Sequence, residues 1–220
     1  MKALNKSSET IPKARRGDSR EAIVGAAQHL FLERGFGSVS MDELATAAGV
    51  ARRTLYNQFS SKEEIFREML LRVSHQLESA FPPGIETQGE VAEVLRQIAR
   101  VILGLHANPE YLGFLRMVVA DSRQFPWIAE EFAAVMDPQT DRLISYLAHL
   151  SSVGVLSCRN PTLAAHQFMG MLNELSLWPW MMGRESLLIP EGEVIEATVA
   201  TFLRTYASAR TAEQGDDSAA

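Results

Sequence analysis

The chain has 220 residues, of which 46% are hydrophobic and 22% charged, a balance typical of a folded globular protein and not of a disordered one. It contains a single cysteine, Cys158, which excludes an internal disulfide and a metal site built from several cysteines. No segment has the pattern of a signal peptide or the length and apolarity of a membrane span, so we expect a cytoplasmic protein that does not contact a membrane.

Charge is distributed unevenly along the chain. The formal net charge is −6, but residues 1–62 carry ten basic and six acidic side chains, a net of +4, which leaves −10 on the remainder. A basic segment attached to an acidic body suggests that the N-terminal part faces nucleic acid. The same asymmetry is also typical of a solvated basic tail, so the motifs must decide between the two interpretations.

The first predicted helix follows an N-terminal arm. Residues 1–17 are expected to form a flexible basic arm. Apolar residues then recur at steps of three and four, which predicts a helix from about Ser19 to Arg34 with one face to bury. Asp18 and Glu21 have the spacing of a capping box at its start.

Two short helices joined by a glycine turn come next. Ser40 and Glu43 have capping-box spacing at the start of a helix expected over about 41–48. Gly49 permits the positive φ of a sharp turn, and a further helix is expected over about 51–58. Two short helices joined in this way predict a helix-turn-helix.

The second of these helices divides into an inward and an outward side. Leu55 and Phe59 lie four residues apart and are both expected to pack inward. Arginine pairs with guanine, asparagine with adenine, and a threonine methyl contacts thymine in a major groove. The alternative, an ordinary solvated helix face, is disfavoured by the glycine turn and the basic flank. The outward residues, and so the candidates for contacting DNA, are Arg52, Arg53, Thr54, Tyr56 and Asn57.

A fourth helix is expected directly afterwards. Ser60 and Glu63 have the spacing to cap it, and Pro82-Pro83-Gly84 ends it. Helix starts expose backbone N–H groups that bind phosphate. The helix starts at Ser40 and near Lys62 are therefore candidates for binding backbone phosphates on either side of a groove.

The rest of the chain predicts helices only, because the period-two alternation of strands is missing. Most of these helices begin at a proline or a capping residue. The first of them is capped by Thr87 and Glu90 and reaches Leu105. The others are expected over about Pro109–Ser122, Pro126–Val153, Pro161–Trp178 and Pro190–Tyr206, and Pro138 would kink the second of these four.

A set of short runs within residues 20–70 forms one combined pattern: Ile23-Val24-Gly25-Ala26-Ala27, Leu30-Phe31, Arg34-Gly35-Phe36, Ser38 to Ala45, Ala48-Gly49-Val50, Thr54 to Phe59 and Ser61-Lys62-Glu63. Together these runs resemble the DNA-binding domain of the TetR family of transcriptional regulators. The Arg-Gln-Phe-Pro segment at residues 123–126 is similar to the ligand-binding half of the AefR-like branch of that family.

The resemblance implies an all-α homodimer with a three-helix helix-turn-helix head over residues 18–62. It further implies a larger helical ligand-binding and dimerisation body over 63–210, entered through a linking helix over 61–80, and a flexible tail over 211–220. The last two long helices would pair with those of the partner, and ligand binding would move the linking helix and spread the heads. Phosphate contacts are implied for Ser40, Tyr56 and Lys62, and groove contacts for Arg52, Arg53, Thr54 and Asn57.

The residues themselves are consistent with a dimer. The helix from Thr162 to Trp178 is apolar nearly all round, so it is expected to be buried on more than one side. The body of one subunit could supply that burial, and a subunit interface could equally do so. Two-fold symmetry would match a palindromic operator with half-sites about 34 Å apart or a multiple of that.

Large, adaptable side chains are concentrated in the body and predict a pocket for an unknown effector. His106, His149 and His166 are candidates for polar contacts there, with a purely structural role as the alternative for each. Core or interface packing is the alternative for the apolar candidates as well. Those candidates are Phe114, Met117, Trp127, Phe132, Met136, Phe168, Met169 and Trp178.

These patterns predict a DNA-binding transcriptional regulator. We expect a repressor that binds a palindromic operator as a dimer and is released by a small, largely apolar effector. An all-helical enzyme is an alternative, but no nucleophile elbow, metal-ligand cluster, phosphate loop or catalytic carboxylate pair is recognisable, so we expect no enzyme activity, metal or cofactor. A helical adaptor that binds only protein is the other alternative.

Overall fold

The computed structural model describes the backbone of residues 16–80, 90–184 and 189–208. These ranges contain ten α-helices and one π-helical turn, with no strand beyond an isolated bridge between Leu156 and Ala207. The predicted all-α class is confirmed. The chain divides into two compact units, residues 1–69 and 70–220, which we call the head and the body.

Four helices begin within the head, and the fourth continues into the body: α1 Arg16–Arg34, α2 Met41–Ala47, α3 Arg52–Gln58 and α4 Lys62–Ala80. An aromatic cluster lies at the centre of the head. The ring of Phe36 packs 5.2 Å from that of Phe31 and 5.6 Å, edge to face, from that of Phe66, between centroids. Phe66 lies in the second turn of α4, so this compact unit extends beyond the predicted boundary at residue 62.

Two predicted caps are wrong. Helix α1 already includes Arg16, so Asp18 lies inside its first turn, where a carboxylate favours the helix dipole, and does not precede it. At the start of α4, the Ser61 hydroxyl accepts from the Glu64 backbone N–H at 3.3 Å, and the Glu64 carboxylate accepts from the Ser60 N–H at 2.6 Å. The predicted Ser60 and Glu63 pair is displaced by one residue because two serines and two glutamates repeat the same spacing.

Six helices follow: α5 Val91–His106, α6 Pro109–Asp121, α7 Pro126–Ser152, α8 Pro161–Leu172, α9 Trp178–Met181 and α10 Glu191–Tyr206. The predicted starts at Pro109, Pro126 and Pro161 are confirmed, since each proline occupies the first turn of its helix. The proposed cap Thr87 and the segment Pro82-Pro83-Gly84 lie outside the described residues.

The core of the body is formed by α5, α7, α8 and α10. Leu95, Leu147, Phe168 and Phe202 are each at most 1% exposed, and the rings of Phe168 and Phe202 meet edge to face at 5.4 Å. No helix in the described ranges combines the length and the apolarity needed to cross a bilayer.

The helix predicted over residues 161–178 is interrupted. After α8 the chain forms a π-helical turn over Asn173–Leu177 before α9 begins. A π turn adds about one residue to a helical repeat, so it rotates the following side chains relative to α8. This is one reason why Trp178 is 51% exposed although the apolar pattern continues to it.

Candidate functional site

The start of α2 is held by a complete capping box. The Glu43 backbone N–H donates to the Ser40 hydroxyl at 3.3 Å, and the Ser40 backbone N–H donates to the Glu43 carboxylate at 2.8 Å. Arg34 also pairs with Glu43, at 2.8 Å. These contacts, the Ser40 N–H above all, lower the pKa of Glu43 to about 2. The predicted Ser40 and Glu43 capping box is confirmed, and Ser40 lies on the surface.

Gly49 makes the turn between α2 and α3. Its φ of +65° lies in the left-handed region, which a side chain would disfavour. The Val50 N–H donates to the carbonyl of Ala45 at 3.0 Å, which closes the turn against the end of α2. The predicted glycine turn is confirmed, and it sets the direction in which α3 leaves α2.

Helix α3 is anchored by its inward side, as predicted. Leu55 is fully buried and Phe59 is 1% exposed. Arg20 lies 4.2 Å over the Phe59 ring, donates to the Gln58 carbonyl at 3.2 Å and pairs with Glu68 at 2.7 Å. Sequence reasoning missed this role of Arg20, since nothing in its local spacing indicates contacts 38 and 48 residues away.

The opposite side of α3 faces outward. Arg52, Arg53 and Asn57 are exposed, Tyr56 is 44% exposed and Thr54 is half-buried. A short helix with a buried apolar side and a polar surface of these residue types has the chemistry needed to reach base edges and phosphates. We call this outward side of α3, residues 52, 53, 54, 56 and 57, the recognition surface.

The two arginines of the recognition surface differ in their surroundings. The Nε of Arg52 pairs with the Asp42 carboxylate at 3.0 Å, and its guanidinium lies 5.6 Å from the centre of the Tyr56 ring. Within the described residues, Arg53 has no hydrogen bond, ion pair or ring contact. Among the described residues nothing engages the guanidinium of Arg53, whereas Asp42 engages the Nε–H of Arg52 and leaves its other N–H groups to a ligand. The influence of Asp42 was not foreseen from the sequence.

Lys62 faces the interior of the head. Its ammonium donates to the carbonyl oxygens of Phe36 and Val39, both at 2.7 Å, and lies 4.3 Å over the Phe36 ring. These contacts fasten the loop before α2 to the start of α4. A phosphate contact from Lys62 stays a prediction.

The body contains a cavity of about 90 Å³ between α5, α6, α7 and α8. Of the eight apolar residues predicted to form an effector pocket, Met136 and Met169 line it. Phe168 packs in the core instead, and Trp178 is 51% exposed. The described lining residues are Ile98, Ile102, Leu105, His106, Tyr111, Met136, Gln139, Thr140, Leu143 and Met169.

The remaining four predicted pocket residues lie elsewhere in α6 and α7. Phe114 and Met117 are each 4% exposed, and the rings of Phe114 and Phe132 pack 6.0 Å apart. Trp127 is half-buried. Apolar content alone does not distinguish these packing contacts from a cavity lining.

Of the three histidines predicted to make polar contacts, His106 lines the cavity, whereas His149 and His166 are exposed. The Nδ1 of His106 lies 2.7 Å from the Ser176 hydroxyl, which donates its single hydrogen to the Leu172 carbonyl at 2.8 Å. With the Ser176 hydrogen on the Leu172 carbonyl, the ring donates through Nδ1–H and Nε2 is the acceptor. Burial lowers the pKa of His106 to about 4, so the ring is neutral at neutral pH.

Two further polar groups line the cavity. The Oε1 of Gln139 is buried and has no hydrogen-bond partner in the part of the chain that the structure describes. The Tyr111 hydroxyl donates to the Met136 sulfur at 3.8 Å, a weak bond, and burial raises the pKa of Tyr111 to about 12. In the described part of the chain, His, Cys, Asp and Glu do not gather into a group of three or more that could hold a metal ion.

A shallow groove runs along the surface between α8 and α10. Much of its lining is small or apolar, including Gly170, Leu175, Ala197 and Thr201. Gly170 leaves open space: a Cβ added to it would meet no atom within 4 Å. This pair of helices is the one that sequence resemblance assigned to dimerisation.

The capped α2, the glycine turn and the outward polar side of α3 define a helix-turn-helix DNA-binding protein. Residues 23–69 match the family model of the bacterial regulatory proteins of the tetR family, and residues 93–208, more than half of the chain, match the C-terminal domain of AefR-like transcriptional repressors. The chain belongs to the TetR family of transcriptional regulators and has an AefR-like C-terminal domain.

Full-length relatives agree with this assignment. The chain is 28% identical to the transcriptional regulator EthR of Mycobacterium tuberculosis, over 88% of this chain and 92% of EthR. It is 30% identical to the transcriptional repressor BepR of Brucella suis, over 89% of this chain and 97% of BepR. The solved structure of the flavonoid-responsive regulator FrrA is 30% identical and superposes with a TM-score of 0.73, over 87% of this chain and 98% of FrrA. The protein is thus a DNA-binding transcriptional regulator.

Proposed function

We propose that this regulator is a cytoplasmic repressor that binds a palindromic operator as a homodimer and leaves it when a small, largely apolar effector occupies the body. The observation that carries the DNA-binding part is the arrangement of α3, with Leu55 and Phe59 buried and the recognition surface outward. Repression is supported by the AefR-like repressor domain and by the name of BepR. The relation to a flavonoid-responsive regulator supports control by a small molecule.

On the DNA, the residues of the recognition surface divide into two roles. Arg53, Asn57 and Thr54 reach base edges, because guanine, adenine and the thymine methyl are the partners these side chains suit. Tyr56 and Ser40 contact phosphates, which position the head without reading sequence. Arg52 joins the base contacts once DNA displaces Asp42 from its guanidinium.

The proposed dimer forms through α8 and α10, with each groove covered by the same helices of a second copy. Leu163 of α8 is 51% exposed and Leu175 of the π-helical turn is 37% exposed, so this part of the body still has apolar surface to bury. Because the same two helices would supply both sides, the interface is two-fold symmetric and matches a palindromic site.

The test is operator selection from random duplex DNA by the full-length protein, followed by fluorescence anisotropy at several salt concentrations. Replacing both Arg53 and Asn57 with alanine is expected to weaken specific binding by at least about 30-fold, since each good base contact contributes roughly 1–3 kcal/mol. Arg159→Ala, on an exposed residue of the body, is the control and should retain affinity.

Affinity that falls steeply with salt supports phosphate contacts. A protein that selects no sequence, or one whose double variant binds as tightly as the wild type, contradicts the proposal. An adaptor that binds only protein would show no salt-dependent binding to any duplex.

A further inference from the structure

The body cavity is lined by polar groups as well as by apolar side chains. We propose that its occupant is a neutral, mostly apolar molecule that donates a hydrogen bond, through a hydroxyl or N–H group, to the Oε1 of Gln139. This inference rests on the proposed function only in treating that occupant as the effector.

The main observation is an unpaired acceptor. The Gln139 Oε1 is buried, has no hydrogen-bond partner among the described residues and belongs to a residue that lines the cavity. A buried polar atom without a hydrogen bond is destabilising, so such an atom is normally paired in a native protein. A ligand that brings a donor into the cavity removes this cost, whereas a pure hydrocarbon leaves the atom unpaired.

His106 adds to the acceptor character of the cavity. Its Nδ1–H is committed to Ser176, whose own hydrogen goes to the Leu172 carbonyl. Its remaining ring nitrogen is an acceptor, and burial keeps the ring neutral. The histidine therefore supplies no positive charge to pair with an anionic ligand.

Full charges are absent from the described cavity lining. None of the described lining residues is Asp, Glu, Lys or Arg, and burial keeps Tyr111 in its neutral form. A carboxylate or ammonium entering the cavity would lose its hydration without an opposite charge, which is far more costly than burying a hydroxyl that finds an acceptor. The lining therefore selects against ionised ligands of either sign.

The lining also has room to adapt. The cavity of about 90 Å³ is smaller than the space of about 150 Å³ that accepts a benzene ring in a protein interior. Met136 and Met169 line it, and the unbranched methionine side chain rearranges easily. A one-ring molecule therefore fits once these side chains move, so their methyl groups report on binding.

The experiment titrates the full-length protein with four probes of similar size: phenol, anisole, benzene and benzoate. Methionine-methyl NMR follows Met136 and Met169, with the 79% exposed Met182 as the internal control. Phenol should shift the two cavity methyls and bind about fivefold to tenfold more tightly than anisole or benzene, as expected for one net hydrogen bond. Benzoate should bind most weakly.

Gln139→Leu identifies the acceptor. It should reduce the preference for phenol over benzene to less than about twofold, with Gln97→Leu, on an exposed residue, as the matched control. Because it removes an unpaired buried acceptor, Gln139→Leu should melt no lower than Gln97→Leu. A markedly lower melting temperature would show that the atom is paired and would overturn the proposal.

Three other results would overturn it: equal binding of phenol and anisole, strongest binding of benzoate, or no shift of the cavity methyls with any probe. A phenol preference that survives in Gln139→Leu would do the same. DNA plays no part in these measurements, so failure of the protein to select an operator contradicts the proposed function and leaves the cavity assignment intact. Failure of the probes to bind as expected contradicts the cavity assignment and leaves the proposed DNA binding intact.

Discussion

Asp42 controls the availability of Arg52 on the recognition surface. Both side chains are more than half exposed, at 58% and 67%, so their ion pair contributes little to folding, about 0–1 kcal/mol. If Arg52 contacts DNA as proposed, the consequence is functional, because a carboxylate beside that arginine engages one of its donors and repels phosphate.

We expect Asp42→Asn to strengthen binding to the selected operator by about threefold to tenfold at low salt, with a smaller gain at high salt because screening weakens both effects. Fluorescence anisotropy across a salt series measures this. Asp141→Asn, on an exposed residue of α7, removes the same charge from the body and should change affinity little. Equal effects of the two variants would show that only net charge matters.

At the scale of elements, Lys62 joins α4 to the loop that precedes α2. Its ammonium donates to the carbonyl oxygens of Phe36 and Val39 and lies over the Phe36 ring. Hydrogen bonds to charged groups are stronger than neutral ones, so this lysine stabilises the position of the helix-turn-helix relative to the start of α4.

Lys62→Met keeps most of the aliphatic stem and removes the ammonium. We expect the free energy of unfolding to fall by about 2 kcal/mol, as measured by urea denaturation followed by circular dichroism. Arg53→Met removes an exposed cation that makes no hydrogen bond or ion pair within the described residues, and it should change that free energy by less than about 0.5 kcal/mol. Similar stabilities of the two variants would refute the role given to Lys62.

At the scale of the whole molecule, the groove between α8 and α10 is the surface that dimerisation would cover. Two helical glycines allow a matched comparison. Gly170 lies in this groove and Gly104 lies on α5, and in both cases an added Cβ would meet no atom within 4 Å of the same chain. A Cβ therefore fits at either position, and a replacement at either position puts a better helix former in place of glycine.

Gly170→Arg is expected to produce a monomer in light scattering, because a long charged side chain would separate the two copies, and operator affinity should fall with the loss of the second head. Gly104→Arg should remain dimeric. If Gly170→Arg also stays dimeric, the interface lies on another surface.

Local physical rules explain which parts of this architecture were predictable. Prolines at the first turns of α6, α7 and α8, the Ser40 and Glu43 capping box and the positive φ of Gly49 depend on residues only a few positions apart. The repeated serines and glutamates at the start of α4 allow two positions for the helix cap, and the predicted cap lies one residue away from the observed one.

The amino-acid sequence alone determined that the chain is helical, where most helices begin, and which side of α3 is polar, because helical periodicity and capping are properties of neighbouring residues. Only the tertiary structure decided that Asp42 occupies Arg52, that Lys62 binds two carbonyls, and that Gln139 shares a cavity with Met169. Those pairs come together through the packing of separate elements. A one-dimensional pattern records that a residue is apolar or polar but not which distant surface will cover it.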